Sequence, residues 1–255
     1  MWYDSVVPRS PYSSRSFAYS FGPGPMTPAV RAIVYANIAV FVLAFLLPQI
    51  TIYLGLTPVA VFRELWVWQP VTYMFVHREF FHILFNLLAV WMFGVQLERR
   101  WGTSAFVRYY FITGIGAGLT TLLVSLLPFA FAIPVYFAVT IGASGAVYGL
   151  LLAYALYYPD TPLFFFPIPI PIPAKYFVMI LGAMAFLASL SGASSGVANA
   201  AHLGGLVVGY LYLTAGRGGP LAEIKYRWLK WRMARMRRKF DVVPGGRKPW
   251  DDRVH

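Results

Sequence analysis

The chain has 255 residues, of which 59% are apolar and 12% charged, with no cysteine and a formal charge of +12. That balance excludes an ordinary soluble domain, and the absence of cysteine excludes a disulfide framework or a thiolate metal site. Eight of the 21 lysines and arginines lie between positions 225 and 239, outside any apolar run, so the charge reads as membrane topology rather than nucleic-acid binding.

Residues 1–28 are rich in Pro, Ser, Gly and Tyr and lack the apolar centre of a signal peptide, which predicts a disordered cytoplasmic lead. Met26, directly before the first apolar run, is a second candidate start. Six runs near the length that crosses about 30 Å of hydrocarbon follow. The first spans 29–47 and is closed by Pro48. Residues 49–80 carry Trp66, Trp68, Tyr73 and Phe75 and are broken by Pro58 and Pro70, a composition suited to the membrane interface rather than to a span.

The second span, 81–97, begins with His82 and Asn86, four residues apart and hence on one helix face, and ends in Glu98-Arg99-Arg100-Trp101. The third, 105–127, holds the close-packing pair Gly114 and Gly118. After an apolar connection over 128–141, the fourth runs over 144–158. It opens on Gly142-Ala143-Ser144-Gly145, one hydroxyl among small residues, with Gly149 one turn on. Pro167, Pro169, Pro171 and Pro173 then alternate with isoleucines, which no helix holds, so an extended connector is expected. The fifth span covers 175–190, a flexible loop 191–196, and the sixth span 197–214, with His202 in its second turn and Gly205 and Gly209 behind it.

The expected organisation is thus a lead (1–28), an all-α polytopic domain of six transmembrane helices (29–215) and a basic cytoplasmic tail (216–255). In the tail, basic residues alternate with Trp228, Trp231, Met233, Met236 and Phe240. Such a helix would lie on anionic lipid, each Lys or Arg near the surface contributing about 1 kcal/mol. RNA binding is the rival reading of that stretch, and the adjacent span disfavours it.

With six alternating spans, Arg99, Arg100, Arg108, Lys175 and the tail share one side with the N-terminus, while Arg63 and Arg78 stand on the other beside Glu64 and Glu79. The excess of positive charge places both termini in the cytoplasm. Spans two, four and six then run the same way, and His82, Asn86, Ser144 and His202 fall at similar depth near the outer face.

Polar groups at membrane depth mark either function or a satisfied helix contact. A serine hydroxyl needs an adjacent base, and a neutral imidazole is suited to take its proton. The strips Gly142, Gly145 and Gly149 on one side and Gly205 and Gly209 on the other would let the two backbones approach. None of the nine acids lies beside His202 or in the outer half of a span, so an enzyme here works with a dyad rather than a triad. His82, Asn86 and the Ser144 backbone N–H suit an oxyanion hole. The alternatives for His82 and Asn86 are hydrogen bonding between helices, or half of a metal site with His77. The metal reading is discounted because no carboxylate or thiol joins the histidines at that depth.

His82-Ile83-Leu84-Phe85-Asn86, Gly142-Ala143-Ser144-Gly145 and Ala201-His202-Leu203-Gly204-Gly205, in this order on spans two, four and six, resemble the rhomboid intramembrane serine proteases. Trp68-Gln69 and the Glu98-x-Arg100 pair also resemble that family's first loop and its Glu-x-Arg motif, and the likeness covers residues 26–215. It implies Ser144 as nucleophile, His202 as base, and His82, Asn86 and the Ser144 backbone as the oxyanion hole, with neither cofactor nor metal. It further implies a first loop embedded sideways in the outer leaflet and a fifth span that gates substrate. Ala200 departs from the pattern, since many members have glycine there.

The function expected is intramembrane endoproteolysis of transmembrane segments of other membrane proteins near the outer face of a bacterial plasma membrane. A rhomboid-like protein that binds membrane clients without cutting them is the alternative. A transporter is disfavoured, because the spans carry neither intramembrane acids nor paired Gly/Pro breaks.

Overall fold

The computed structural model describes residues 22–130, 132–165, 168–190 and 196–215, with Lys230, Met233 and Arg235. Most of the lead, the loop 191–195 and nearly all of the basic tail lie outside the described residues. The first apolar run forms α1 (Pro28–Leu46), started by a proline whose missing N–H costs a helix nothing in its first turn. The aromatic stretch folds into three short helices, α2 (Ile50–Leu54), α3 (Pro58–Arg63) and α4 (Gln69–Thr72), and a 3₁₀ turn over Tyr73–Phe75. Two long helices follow, α5 (Phe80–Trp101) and α6 (Thr103–Ser125), separated only by Gly102. That glycine has φ +81°, a conformation open to it because it lacks a Cβ.

The expected plain connection over 128–141 contains a further short helix, α7 (Ala132–Phe137). Beyond it stands α8 (Ser144–Tyr157), and α9 (Ala174–Leu190) and α10 (Gly196–Ala215) close the fold. The Pro-Ile connector is extended, as its prolines require, and it is also paired. β1 (Pro162–Phe165) and β2 (Ile168–Pro173) form an antiparallel hairpin with an irregularity at Phe164/Phe165. Proline survives in a two-stranded sheet because each strand has a free edge that needs no donor.

The chain is an integral membrane protein. By length and composition α1, α5 and α6 can each cross a bilayer, while α8 and α9 are apolar but shorter. α8 is the axis of the molecule. Its buried residues, Gly145, Ala146, Val147, Gly149, Leu150, Leu151, Ala153, Tyr154 and Ala155, cover most of its circumference, and the row Tyr148, Leu152 and Leu156 is partly exposed. A helix apolar on every side must be enclosed, and α5, α6, α9 and α10 all pack against it.

Helix lengths set the depth of Ser144. Gly145 lies against Ala117 of α6, and α6 continues from there to Ser125, eight further residues (125 − 117). At 1.5 Å per residue, the α6 end therefore rises about 12 Å past the start of α8.

α1 is anchored from the other end. The Glu98 carboxylate, 3% exposed, accepts the backbone N–H groups of Ala29 and Val30, both at 3.0 Å, and the hydroxyls of Thr27 and Thr103. One acid thus satisfies orphan donors at the start of α1 and ties the start of α6 to it.

Candidate active site

The segment leading into α8 takes its shape from the aromatic stretch 49–80. Leu56 and Thr140 exchange both backbone hydrogen bonds at 2.8 Å, and the Gly142 N–H donates to the Tyr73 carbonyl at 2.9 Å. Tyr73 in turn donates its hydroxyl to the Gly114 carbonyl of α6 at 2.7 Å, and Gly118 accepts the same ring at close range. Gly114 and Gly118, expected to pack on a helix, thus receive Met74 and Tyr73 from the short-helix segment.

Gly142, expected within the glycine strip, stands outside α8. Its φ is +109°, and a Cβ there would come within 2.7 Å of the His82 Nε2. Its role in the structure is therefore a turn and a close approach to an imidazole. The other glycines do bring backbones together. A Cβ on Gly205 would fall 2.0 Å from the Gly145 carbonyl oxygen, and one on Gly209 would lie 3.4 Å from the Gly149 Cα and 2.7 Å from the Tyr109 hydroxyl. Gly149 is further pressed by Thr113, and its carbonyl accepts the Tyr109 hydroxyl at 2.7 Å.

With α8 and α10 in backbone contact, the His202 Nε2 lies 2.8 Å from the Ser144 Oγ, the distance of a normal hydrogen bond. The imidazole is stacked on the ring of Tyr148, with centroids 4.3 Å apart and planes within 8°. Tyr148 is one turn after Ser144 on α8, and sequence reasoning assigned it no role. Its i, i+4 spacing from Ser144 was the available signal.

His82 and Asn86 occupy the first turns of α5. The Asn86 side chain, 6% exposed, donates one N–H to the His82 carbonyl at 2.8 Å. An amide nitrogen carries two N–H groups, so one remains. His77, in the loop before α5, is buried with its ring 4.9 Å from that of His82. It meets the Ala143 N–H through Nε2 and the Phe75 carbonyl through Nδ1, both at a long 3.4 Å. Burial, and secondarily the neighbouring His82, lowers its pKa from the ordinary histidine value to about 4. A neutral ring with its proton on Nδ1 fits both contacts.

No group of three or more His, Cys, Asp or Glu able to hold a metal occurs among the described residues. Two further residues of α10 bear on the site. Asn199 is buried three positions before His202, and its amide nitrogen has no partner. Ala200, in place of the glycine expected there, is itself buried.

The profile of the Rhomboid domain matches residues 64–218, more than half of the chain. The chain is 34% identical over 152 residues to the rhomboid protease AarA of Providencia stuartii, covering 56% of this chain and 54% of that protein. It is 34% identical over 146 residues to the mitochondrial Rhomboid protein 1 of Saccharomyces cerevisiae, covering 54% and 38%. With the rhomboid protease GlpG of Yersinia pseudotuberculosis the identity is 28% over 189 residues, covering 74% and 61%. The chain thus spans about half the length of these curated relatives. The matched region runs from the segment that shapes the approach to Ser144 through the helix that carries His202, and on that ground the chain belongs to the rhomboid family.

Proposed function

We propose that the protein is an intramembrane serine endopeptidase with Ser144 as nucleophile and His202 as base. The observation that carries this reading is the 2.8 Å contact between Ser144 Oγ and His202 Nε2, in a chain whose relatives AarA and GlpG are named as proteases. As Ser144 Oγ attacks a peptide carbonyl carbon, its proton passes to His202 Nε2 and the carbonyl oxygen becomes an anion. The Ser144 backbone N–H, His82 and the second N–H of Asn86 are the donors for that anion. When the tetrahedral intermediate collapses, the C–N bond breaks, the His202 proton goes to the leaving amine and an acyl ester remains on Ser144. Water, deprotonated by His202, then hydrolyses that ester. No acid is required of the dyad on this reading, because the Tyr148 ring fixes the plane of the imidazole.

The substrates are transmembrane segments of other membrane proteins, cut near the Ser144 end of the bundle. A helical substrate hides its carbonyls in hydrogen bonds, so cleavage falls where small or helix-breaking residues let it unwind. The Ser144 end faces the outside of a bacterial plasma membrane with both termini in the cytoplasm, as the distribution of Lys and Arg supports.

The test is labelling of purified protein in detergent with a fluorophosphonate, which bonds to activated serines. Wild type labels, and Ser144→Ala and His202→Ala fall by about 10³-fold or more, since members of such a unit fail together. An unlabelled wild type, under conditions in which GlpG labels, would overturn the reading in favour of a client-binding protein.

A further inference from the structure

At the end of the bundle opposite Ser144, a cavity of about 490 Å³ opens between the C-terminal ends of α5 and α8, lined by Gly22, Pro23, Gln96, Arg99, Arg100 and Tyr158. We propose that it binds a phosphate group, of the kind carried by an anionic phospholipid in the leaflet at that end.

The argument begins with uncompensated charge. Arg99 donates to the carbonyls of Pro23 at 2.7 Å and Pro25 at 3.2 Å, which uses two of its five N–H groups. Arg100 lies over the rings of Tyr157 at 4.5 Å and Tyr158 at 5.8 Å, and among the described residues it donates no hydrogen bond. Among the described residues neither arginine has an ion pair. The only ion pair among the described residues is Lys175–Asp160, and Glu98 beside them is committed to the start of α1. Two helices end here, and each C-terminus carries roughly half a negative charge. The Glu98 charge is offset by the half-positive starts of α1 and α6 that it meets, so against two guanidinium groups about one positive charge is left, which matches the single negative charge of a phosphodiester.

Geometry and position narrow the ligand. A guanidinium presents paired N–H groups that suit phosphate oxygens, and the ring contacts hold Arg100 in place before any ligand arrives. Gln96 and Tyr158, which carry neutral donors, line the same wall. The site lies where transmembrane helices end, at the depth of lipid headgroups.

The experiment is native mass spectrometry of the full-length protein, delipidated and offered equal phosphatidylglycerol and phosphatidylcholine. Wild type is expected to retain phosphatidylglycerol about tenfold over phosphatidylcholine, and Arg100→Gln to bring the two near parity. Arg100→Gln leaves the Arg99 contacts to Pro23 and Pro25 in place, and unchanged fluorophosphonate labelling of the variant checks that it is folded. Arg100→Lys keeps the charge without the planar fork and is expected to fall about threefold or more below wild type. Neutralising the basic residues between 225 and 239 separates the tail's contribution, and one tightly held phosphatidylglycerol should survive it. In a second arm, inorganic phosphate that raises the melting temperature of wild type but not of Arg100→Gln would support the same site with a soluble ligand. Equal retention of phosphatidylglycerol by wild type and Arg100→Gln, with no response to phosphate in either, would overturn the proposal.

Discussion

On the proposed mechanism, Tyr148 takes over the positional part of the work that a third, acidic member does elsewhere. A stacked ring cannot accept the Nδ1 proton of His202, but it can stop the imidazole from turning away from Ser144. Aromatic pairs contribute about 0.5–1.5 kcal/mol beyond burial, enough to change the occupancy of the aligned rotamer by about two- to thirteenfold. Tyr148→Leu is therefore expected to lower kcat by about tenfold with little change in KM, and Tyr148→Phe, which keeps the stack, to stay near wild type. Steady-state kinetics on a cleavable transmembrane substrate would decide it, and equal losses in the two variants would show that the hydroxyl matters instead. That His82, Asn86, Ser144 and His202 stand at the starts of three helices running the same way was legible, because span order and polar residues at membrane depth are written in the sequence. The stack was not, since it depends on two side-chain rotamers across a helix interface. Nor was the bond from Asn86 to the His82 carbonyl, which depends on the rotamer of a single side chain within α5.

Helices carry most of the site's geometry through glycine. Gly205 sits so close to the Gly145 carbonyl that a methyl group would meet backbone, which cannot swing aside, whereas Gly182 on α9 faces only the Leu206 side chain at 3.2 Å. Gly205→Ala is thus expected to destabilise the protein by about 3 kcal/mol and to abolish fluorophosphonate labelling. Gly182→Ala should be neutral within about 1 kcal/mol, its packing strain offset by the higher helix propensity of alanine. Thermal unfolding in detergent measures both, and a tolerated Gly205→Ala would mean that α8 and α10 can separate without loss. Among the described residues the six longer helices could be read from apolar runs, with ends within about four residues of those observed. The short helices α2, α3, α4 and α7 could not, because pieces of four to six residues have too little periodicity to register. The hairpin β1/β2 was half legible: alternating proline dictates extension, but pairing is a property of two strands and a turn.

For the whole molecule, the proposed topology of six spans puts the two ends of the membrane domain on one side. A fluorescent protein fused after His255 is expected to fluoresce in the cytoplasm, and alkaline phosphatase to be active when inserted after Ser125 and inactive at the C-terminus. Activity at both positions would contradict the proposed topology. The order in which the parts meet has a consequence of its own. Leu56 pairs with Thr140, and His202 reaches back 58 positions to Ser144, so the site draws on chain made early and chain made late. On the proposed mechanism, a nascent protein halted before residue 202 holds the serine without its base, whatever has already inserted. Competence to cut on that mechanism arrives only once α10 has been made and inserted, which guards neighbouring membrane proteins during biosynthesis.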